Sequence, residues 1–169
     1  MAIKVGDRLP AGTVWEFIEE ETPGCSLGPN GFDVPTIAAG KKIAVFGLPG
    51  AFTGTCTSAH VPSFIRTRDA FAEKGVDEII CVSVNDPFVM KAWGESTGAT
   101  KAGITLLADA EAAFTLAAGM AFSAPPVGFV NRSKRYALYA EDGVVKVLHA
   151  EESPGVCDTS GGEAMLRAI

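Results

Sequence analysis

A chain of 169 residues, 47% of them hydrophobic and 20% charged, is sized for one domain and apolar enough to bury a core without disulfide or metal staples. Its net charge of −6 argues against a nucleic-acid partner, since the one basic cluster (Arg132, Lys134 and Arg135) is short and interrupted. No stretch approaches the ~20 apolar residues of a membrane span, and Met1 to Arg8 lacks the apolar core of a secretory leader, so a cytoplasmic protein with no membrane partner is expected, a processed organellar form being the alternative.

In chain order, Thr13 to Glu21 reads as a strand closed by the turn Thr22-Pro23-Gly24. Gly24 to Gly40 is rich in Gly and Pro and reads as loop with at most a short strand. Ile43 to Leu48 is a continuous apolar run, the signature of a strand covered on both faces. A helix is expected from about Thr55 to Lys74, kinked at Pro62, which lacks a backbone donor. Glu78 to Val84 is a second buried strand, and Asp86-Pro87 caps and opens the next helix. Ile104 to Ala108 is a third strand, followed by a helix that Asp109 caps and Gly119 ends. Arg135 to Ala140 and Val144 to His149 flank Glu141-Asp142-Gly143, a hairpin pattern, and a last helix spans about Ser160 to Ile169. Strand and helix alternate, then a hairpin closes the chain. The pattern predicts an α/β domain over residues 1–169, with a central mixed sheet flanked by helices; a thioredoxin-like fold has this arrangement.

Four cysteines, Cys25, Cys56, Cys81 and Cys157, are scattered without a C-x-x-C pair, and only His60 and His149 accompany them. That spacing supports neither a metal site nor a disulfide framework, and no cofactor is implied. Cys56 stands out by position. It lies at the carboxyl end of a buried strand and at the start of a helix, where α/β sheets bind ligands and where unpaired amides and the helix dipole favour a thiolate. Thr53 is placed to aim its hydroxyl at the sulfur or at an incoming oxygen, and Pro49 narrows the turn and shields the sulfur from water. Without its surroundings such a cysteine is more often a small packing residue.

The surroundings are specific. Pro49, Thr53 and Cys56 make the pattern Pro-x-x-x-Thr-x-x-Cys, and the run Pro49-Gly-Ala-Phe-Thr53, with His60 and Pro62, resembles the peroxiredoxins of the type II or peroxiredoxin-5 subfamily. The resemblance continues through Cys81-Val-Ser-Val-Asn-Asp-Pro, Leu107-Ala-Asp109 with Phe114, Arg132-Ser-Lys-Arg135-Tyr136 and Glu141-Asp-Gly-Val-Val-Lys146, and so spans nearly the whole chain. Gly54 stands where a proline is common and Thr57 where a serine is common, and Ala124-Pro125-Pro126-Val127 departs from the expected approach to the hairpin.

The resemblance implies a thiol peroxidase. Cys56 attacks hydrogen peroxide or an alkyl hydroperoxide and becomes a sulfenic acid, aided by Thr53, Pro49 and Arg135, with Arg132 as the second candidate arginine. His60 and Phe52 are expected at the pocket, and Cys81 in the core. The reductant is expected to be glutathione with glutaredoxin, or thioredoxin if Cys157 serves as a resolving thiol; Cys25 is a bystander or bridges two chains. A homodimer is expected on the same ground. The competing readings are a redox sensor and a disulfide oxidoreductase, the latter disfavoured because Thr53, not cysteine, stands three residues before Cys56.

Overall fold

The computed structural model describes residues 1–169. In chain order the elements are β1 (Thr13–Ile18), β2 (Gly28–Asp33), α1 (Val34–Ala38), β3 (Lys42–Leu48), α2 (Val61–Glu73), β4 (Glu78–Ser83), α3 (Pro87–Thr97), β5 (Thr105–Ala108), α4 (Ala113–Ala117), β6 (Ala121–Ala124), β7 (Phe129–Ser133), β8 (Tyr136–Glu141), β9 (Val144–Ala150) and α5 (Gly162–Ala168). Seven strands form one sheet in the order β2-β1-β5-β4-β3-β8-β9, parallel from β5 through β3 and antiparallel on both flanks. This is the expected mixed sheet with helices on both faces.

The central strands are apolar at successive positions because both of their faces are covered. Ala44, Phe46 and Leu48 of β3, with Cys81 of β4, pack beneath Phe64 and Phe71 of α2, Trp93 of α3 and Met165 of α5. The intervening Ile43 and Val45, with Ile80 and Val82, face Val34 and Ala38 of α1, Phe114 of α4, and Ile3 and Leu9 from the N-terminal segment.

Local signals set several boundaries. Asp86 accepts the Val89 amide at 2.9 Å and Pro87 opens α3, as the sequence predicts. Asp109 accepts the amides of Phe114 (3.2 Å) and Thr115 (2.7 Å) and so caps α4. Asp142 and Gly143 both take positive φ (46° and 76°), which lets a tight turn join β8 to β9.

Three features depart from the sequence reading. Gly24 to Gly40 forms both β2 and α1 rather than mainly loop; β2 is an edge strand held by backbone pairing to β1, so its Gly- and Pro-containing sequence carries little apolar signal. Ala121 to Ser133 forms a separate two-stranded ribbon, β6–β7, around the short helical turn Pro125–Val127. The irregularity expected at Pro62 is absorbed just before it by a π-helical turn over Cys56–His60, in which the Val61 amide reaches back to the Cys56 carbonyl.

The antiparallel register of β3 on β8 pairs Gly47 with Tyr136. A Cβ on Gly47 would collide with the Tyr136 ring, which is 1% exposed and has no room to retreat. Gly47→Ala is expected to destabilise the fold by about 1–3 kcal/mol through overpacking, read in a thermal melt as a Tm lowered by about 3–10 °C.

Candidate functional site

β3 ends at Leu48, and the turn from Pro49 to Thr53 leads into a helix that starts at Gly54. The Thr57 amide closes the first turn on the Thr53 carbonyl at 3.1 Å, so the Cys56 amide belongs to the unpaired first turn of the helix. Cys56 itself is 1% exposed. Pro49 is buried, whereas Phe52 is 58% exposed and holds a strained φ of 60° at the outer edge of the turn.

The Thr53 hydroxyl donates to the Gly50 carbonyl at 2.6 Å, an oxygen that can only accept. Its proton is therefore spent within the turn rather than aimed at the sulfur, and its oxygen keeps the capacity to accept. The Ala51 amide donates to Asn85 Oδ1 at 3.0 Å, which also accepts from Ser83 Oγ at 2.6 Å. The turn is thereby pinned to the β4–α3 connection.

Arg135 precedes β8, and the Gly47–Tyr136 register sets it beside the end of β3. Its guanidinium is buried, with the residue 2% exposed. Nη2 donates to Cys56 Sγ at 3.2 Å and to the Pro154 carbonyl at 2.8 Å, and Nε donates to the same carbonyl at 3.1 Å. Nη1 lies 3.0 Å from His60 Nδ1. No carboxylate lies within ion-pair distance of this guanidinium. The cation is held by neutral acceptors and faces one sulfur.

The geometry fixes the state of His60. Arginine has no acceptor to offer, so Nδ1 carries a lone pair and accepts from Arg135, while Nε2 bears the proton and donates to the Ser160 carbonyl at 3.0 Å. Burial, then the nearby Arg135 charge, push its pKa down to about 3. The ring is fully buried against Phe46 and Phe64. Both nitrogens are occupied, so His60 stands as a neutral brace behind Arg135, with no free position for a substrate proton.

The loop after β9 closes this arrangement. Glu151 Oε1 accepts from the amides of Asp158 (2.7 Å) and Ser160 (2.8 Å) and from Ser160 Oγ (2.8 Å). Burial alone would raise the Glu151 pKa, but these donors outweigh it and hold the carboxyl below its usual range. Thr55 Oγ1 donates to the Gly155 carbonyl at 3.1 Å, tying the loop to the helix start. Cys157 lies in this loop, partly exposed, and partial burial raises its thiol pKa. Cys81 lies fully buried in β4, its pKa pushed well up by burial and then by Cys56. Cys25 sits partly exposed in the turn with Thr22. All four thiols are free.

The structure thus brings together Cys56, Arg135, His60, Thr53 and Pro49, and leaves Phe52 on the rim. Sequence reasoning gave no role to Pro154, Ser160, Glu151 or Asn85. Pro154 and Ser160 act through backbone carbonyls, which any residue supplies, so no side-chain signal could mark them.

A buried histidine held neutral has a thermodynamic cost. Between pH 6.5 and about 3 an unfolded His60 binds a proton that the folded chain refuses, so stability is complete above pH 6.5 and falls as pH drops through that window. Melting temperatures between pH 6.5 and 5 are expected to decline with acidification in the unaltered protein and to decline less steeply in His60→Gln.

The family model described as Redoxin matches residues 4–166. The chain is 46% identical over 169 residues to rice peroxiredoxin-2E-2, a chloroplastic protein, covering 99% of this chain and 72% of that one. Among solved structures it resembles reduced Prx3 from Vibrio vulnificus in complex with hydrogen peroxide, at 41% identity and a TM-score of 0.88 over 98% of each chain. It also resembles peroxiredoxin 5 from Alvinella pompejana, at 31% identity and a TM-score of 0.82 over 98% of this chain and 97% of that one. Other relatives include a mitochondrial form, and no helix of this chain is long and apolar enough to cross a membrane. Sequence, fold and relatives agree: the chain belongs to the peroxiredoxins, of the type II or peroxiredoxin-5 kind within the redoxins, and is a thiol-dependent peroxidase acting on a peroxide with a thiol as reductant.

Proposed function

We propose that Cys56 is the peroxide-reactive thiol and that Arg135, Thr53 and Pro49 form the pocket in which it reacts. The observation that carries this reading is the Arg135 guanidinium, buried, without a carboxylate, and 3.2 Å from Cys56 Sγ. The Cys56 thiolate attacks the nearer peroxide oxygen along the O–O axis. The S–O bond forms as the O–O bond breaks, and the bonding pair leaves on the distal oxygen. That oxygen takes a proton from solvent and departs as water, or as an alcohol from an alkyl hydroperoxide. The sulfur is oxidised to a sulfenic acid and the peroxide is reduced.

Negative charge moves from sulfur onto both oxygens along this path. Fixed N–H donors from Arg135 and the Cys56 amide bind that spread charge better than they bind the neutral peroxide, which is what accelerates the step. Thr53 contributes in the opposite sense. With its proton on Gly50, its oxygen accepts the peroxide O–H and orients the substrate. Pro49 offers no N–H and forms a buried wall. His60 holds Arg135 in place, and Phe52 lies at the mouth.

The sulfenic acid is returned to the thiol by glutathione with glutaredoxin. This reading is supported by the partial burial of Cys157 and its raised pKa, which make it a poor attacking thiol while the loop stays closed. The route through thioredoxin requires Cys157 to leave that loop position and form a disulfide with Cys56. We further read the whole chain as one catalytic domain, working in the cytoplasm as a homodimer. Exposed Phe52 and Phe88, at 58% and 63%, favour the dimer.

Cys56→Ser is expected to abolish peroxide consumption. Arg135→Met is expected to lower the second-order rate with hydrogen peroxide on the order of a hundredfold, as for loss of one preorganised donor. Stopped-flow oxidation checks both, and unchanged rates in either variant reject the assignment. Cys157→Ser is expected to leave turnover with glutathione plus glutaredoxin unchanged. A collapse of that turnover, measured beside turnover with thioredoxin, moves the assignment to the two-cysteine route.

A further inference from the structure

The turn that carries Pro49 and Thr53 is also held from a side that peroxide reduction by Cys56 and Arg135 does not use. Arg132 lies on β7, in the ribbon outside the main sheet, three residues before Arg135. Its Nη1 donates to the Pro49 carbonyl at 3.1 Å, and its guanidinium carbon sits 5.1 Å from the centroid of the Phe129 ring. No carboxylate pairs with it. The contact is therefore a planar cation braced on an aromatic face with a donor directed at one backbone oxygen.

That oxygen matters because of its neighbours in the chain. Pro49 is joined to Gly50, whose carbonyl receives the Thr53 hydroxyl, and Gly50 to Ala51, whose amide is bound by Asn85. The β4–α3 connection holds one end of the turn, and Arg132 holds the other. Gly50 carries the imprint of this clamp. A Cβ built there would lie 2.5 Å from Arg132 Nη1, yet Gly50 is not among the residues with positive φ. The backbone at this position tolerates alanine. What a side chain there would meet first is the guanidinium lying across it, which would have to move aside, Thr53 Cγ2 being a milder contact at 3.3 Å.

We propose that Arg132 is a positioning residue for peroxide reduction, clamping the Pro49–Gly50 peptide so that Thr53 presents its acceptor oxygen at a fixed place above Cys56. The proposal rests on Cys56 being the reacting thiol and Thr53 the acceptor that orients the peroxide. Arg132 itself makes no hydrogen bond to the sulfur and acts through the Pro49 carbonyl. Its loss lets the turn shift, and sub-ångström to ångström misplacement of an orienting group is enough to slow a reaction severalfold to a hundredfold.

The test compares two reactions of the same sulfur in the full chain. Peroxide oxidation needs the turn in place, whereas alkylation by iodoacetamide, scored on the Cys56 peptide so that the free Cys25 and Cys157 do not contribute, needs only a reactive sulfur that the reagent reaches. Arg132→Leu is expected to slow hydrogen peroxide oxidation by about tenfold or more while changing the alkylation rate by less than about twofold. Arg132→Lys keeps a donor without the planar stack and is expected to recover part of the loss. Gly50→Ala, which displaces the guanidinium, is expected to reproduce the Arg132→Leu defect. The double variant is expected to be no slower than Arg132→Leu alone, because the new methyl occupies space already vacated.

Four results overturn the proposal: peroxide oxidation unchanged in Arg132→Leu, peroxide and alkylation rates falling together, no recovery with lysine, or the two substitutions multiplying in the double variant. If Arg132→Leu does not fold, Gly50→Ala with the alkylation control decides alone, equal loss of both rates or no loss rejecting the clamp. Failure of the underlying site is read separately, as peroxide consumption that persists in Cys56→Ser.

Discussion

A guanidinium buried in protein without a carboxylate partner is costly, and this fold is arranged around one. Arg135 loses its water and receives in return two bonds to the Pro154 carbonyl, one to a histidine nitrogen and one to Cys56 Sγ. Three of these four bonds end on neutral groups that cannot become anions there. The sulfur is the exception. A thiolate at that position completes an ion pair that a thiol leaves open, so the arrangement ties the charge of the cation to the chemistry of the cysteine.

The main sheet makes the meeting possible. Cys56 follows β3 and Arg135 precedes β8, 79 positions apart in the chain, and only the antiparallel pairing of these two strands puts both at the same end of the sheet. Gly47 allows the register by leaving room for the Tyr136 ring. The π-helical turn over Cys56–His60 then keeps the cysteine and the histidine on one buried face, so that both reach the same guanidinium. Ser63 steadies the following helix: its hydroxyl donates to the His60 carbonyl at 2.6 Å and accepts the Gly162 amide at 2.8 Å, joining α2 to α5.

Around this pair the remaining supports come from three separate places. The loop after β9 supplies Pro154 and Ser160 and is held closed by Glu151. The β4–α3 connection supplies Asn85. The β6–β7 ribbon supplies Arg132. Most of these contacts end on a backbone carbonyl or amide of the Pro49–Thr53 turn or of its neighbouring loop. The surroundings of Cys56 are thus positioned mainly through peptide groups, whose orientation is fixed by the fold, while few side chains face its sulfur. Separating the group that carries charge from the groups that set geometry lets the sulfur stay buried and still be addressed by rigid donors.

Adjacent residues were enough to specify the strand–helix alternation, the cap at Asp86, the Asp142-Gly143 turn, and the placing of Cys56 at a strand–helix junction. Periodicity, turn chemistry and a short motif are all local properties of the chain. The motif also singled out Arg135, through its likeness to relatives rather than through any local property of a strand start. The rest came into being only with the folded chain. Folding made His60 a neutral acceptor, and built an edge strand and a ribbon from segments with almost no apolar period. It also enlisted the carbonyls of Pro154 and Ser160. Side-chain identity says what a residue is able to donate or accept, but which partner it meets depends on distances between segments far apart in the chain, and those exist only once the sheet has formed.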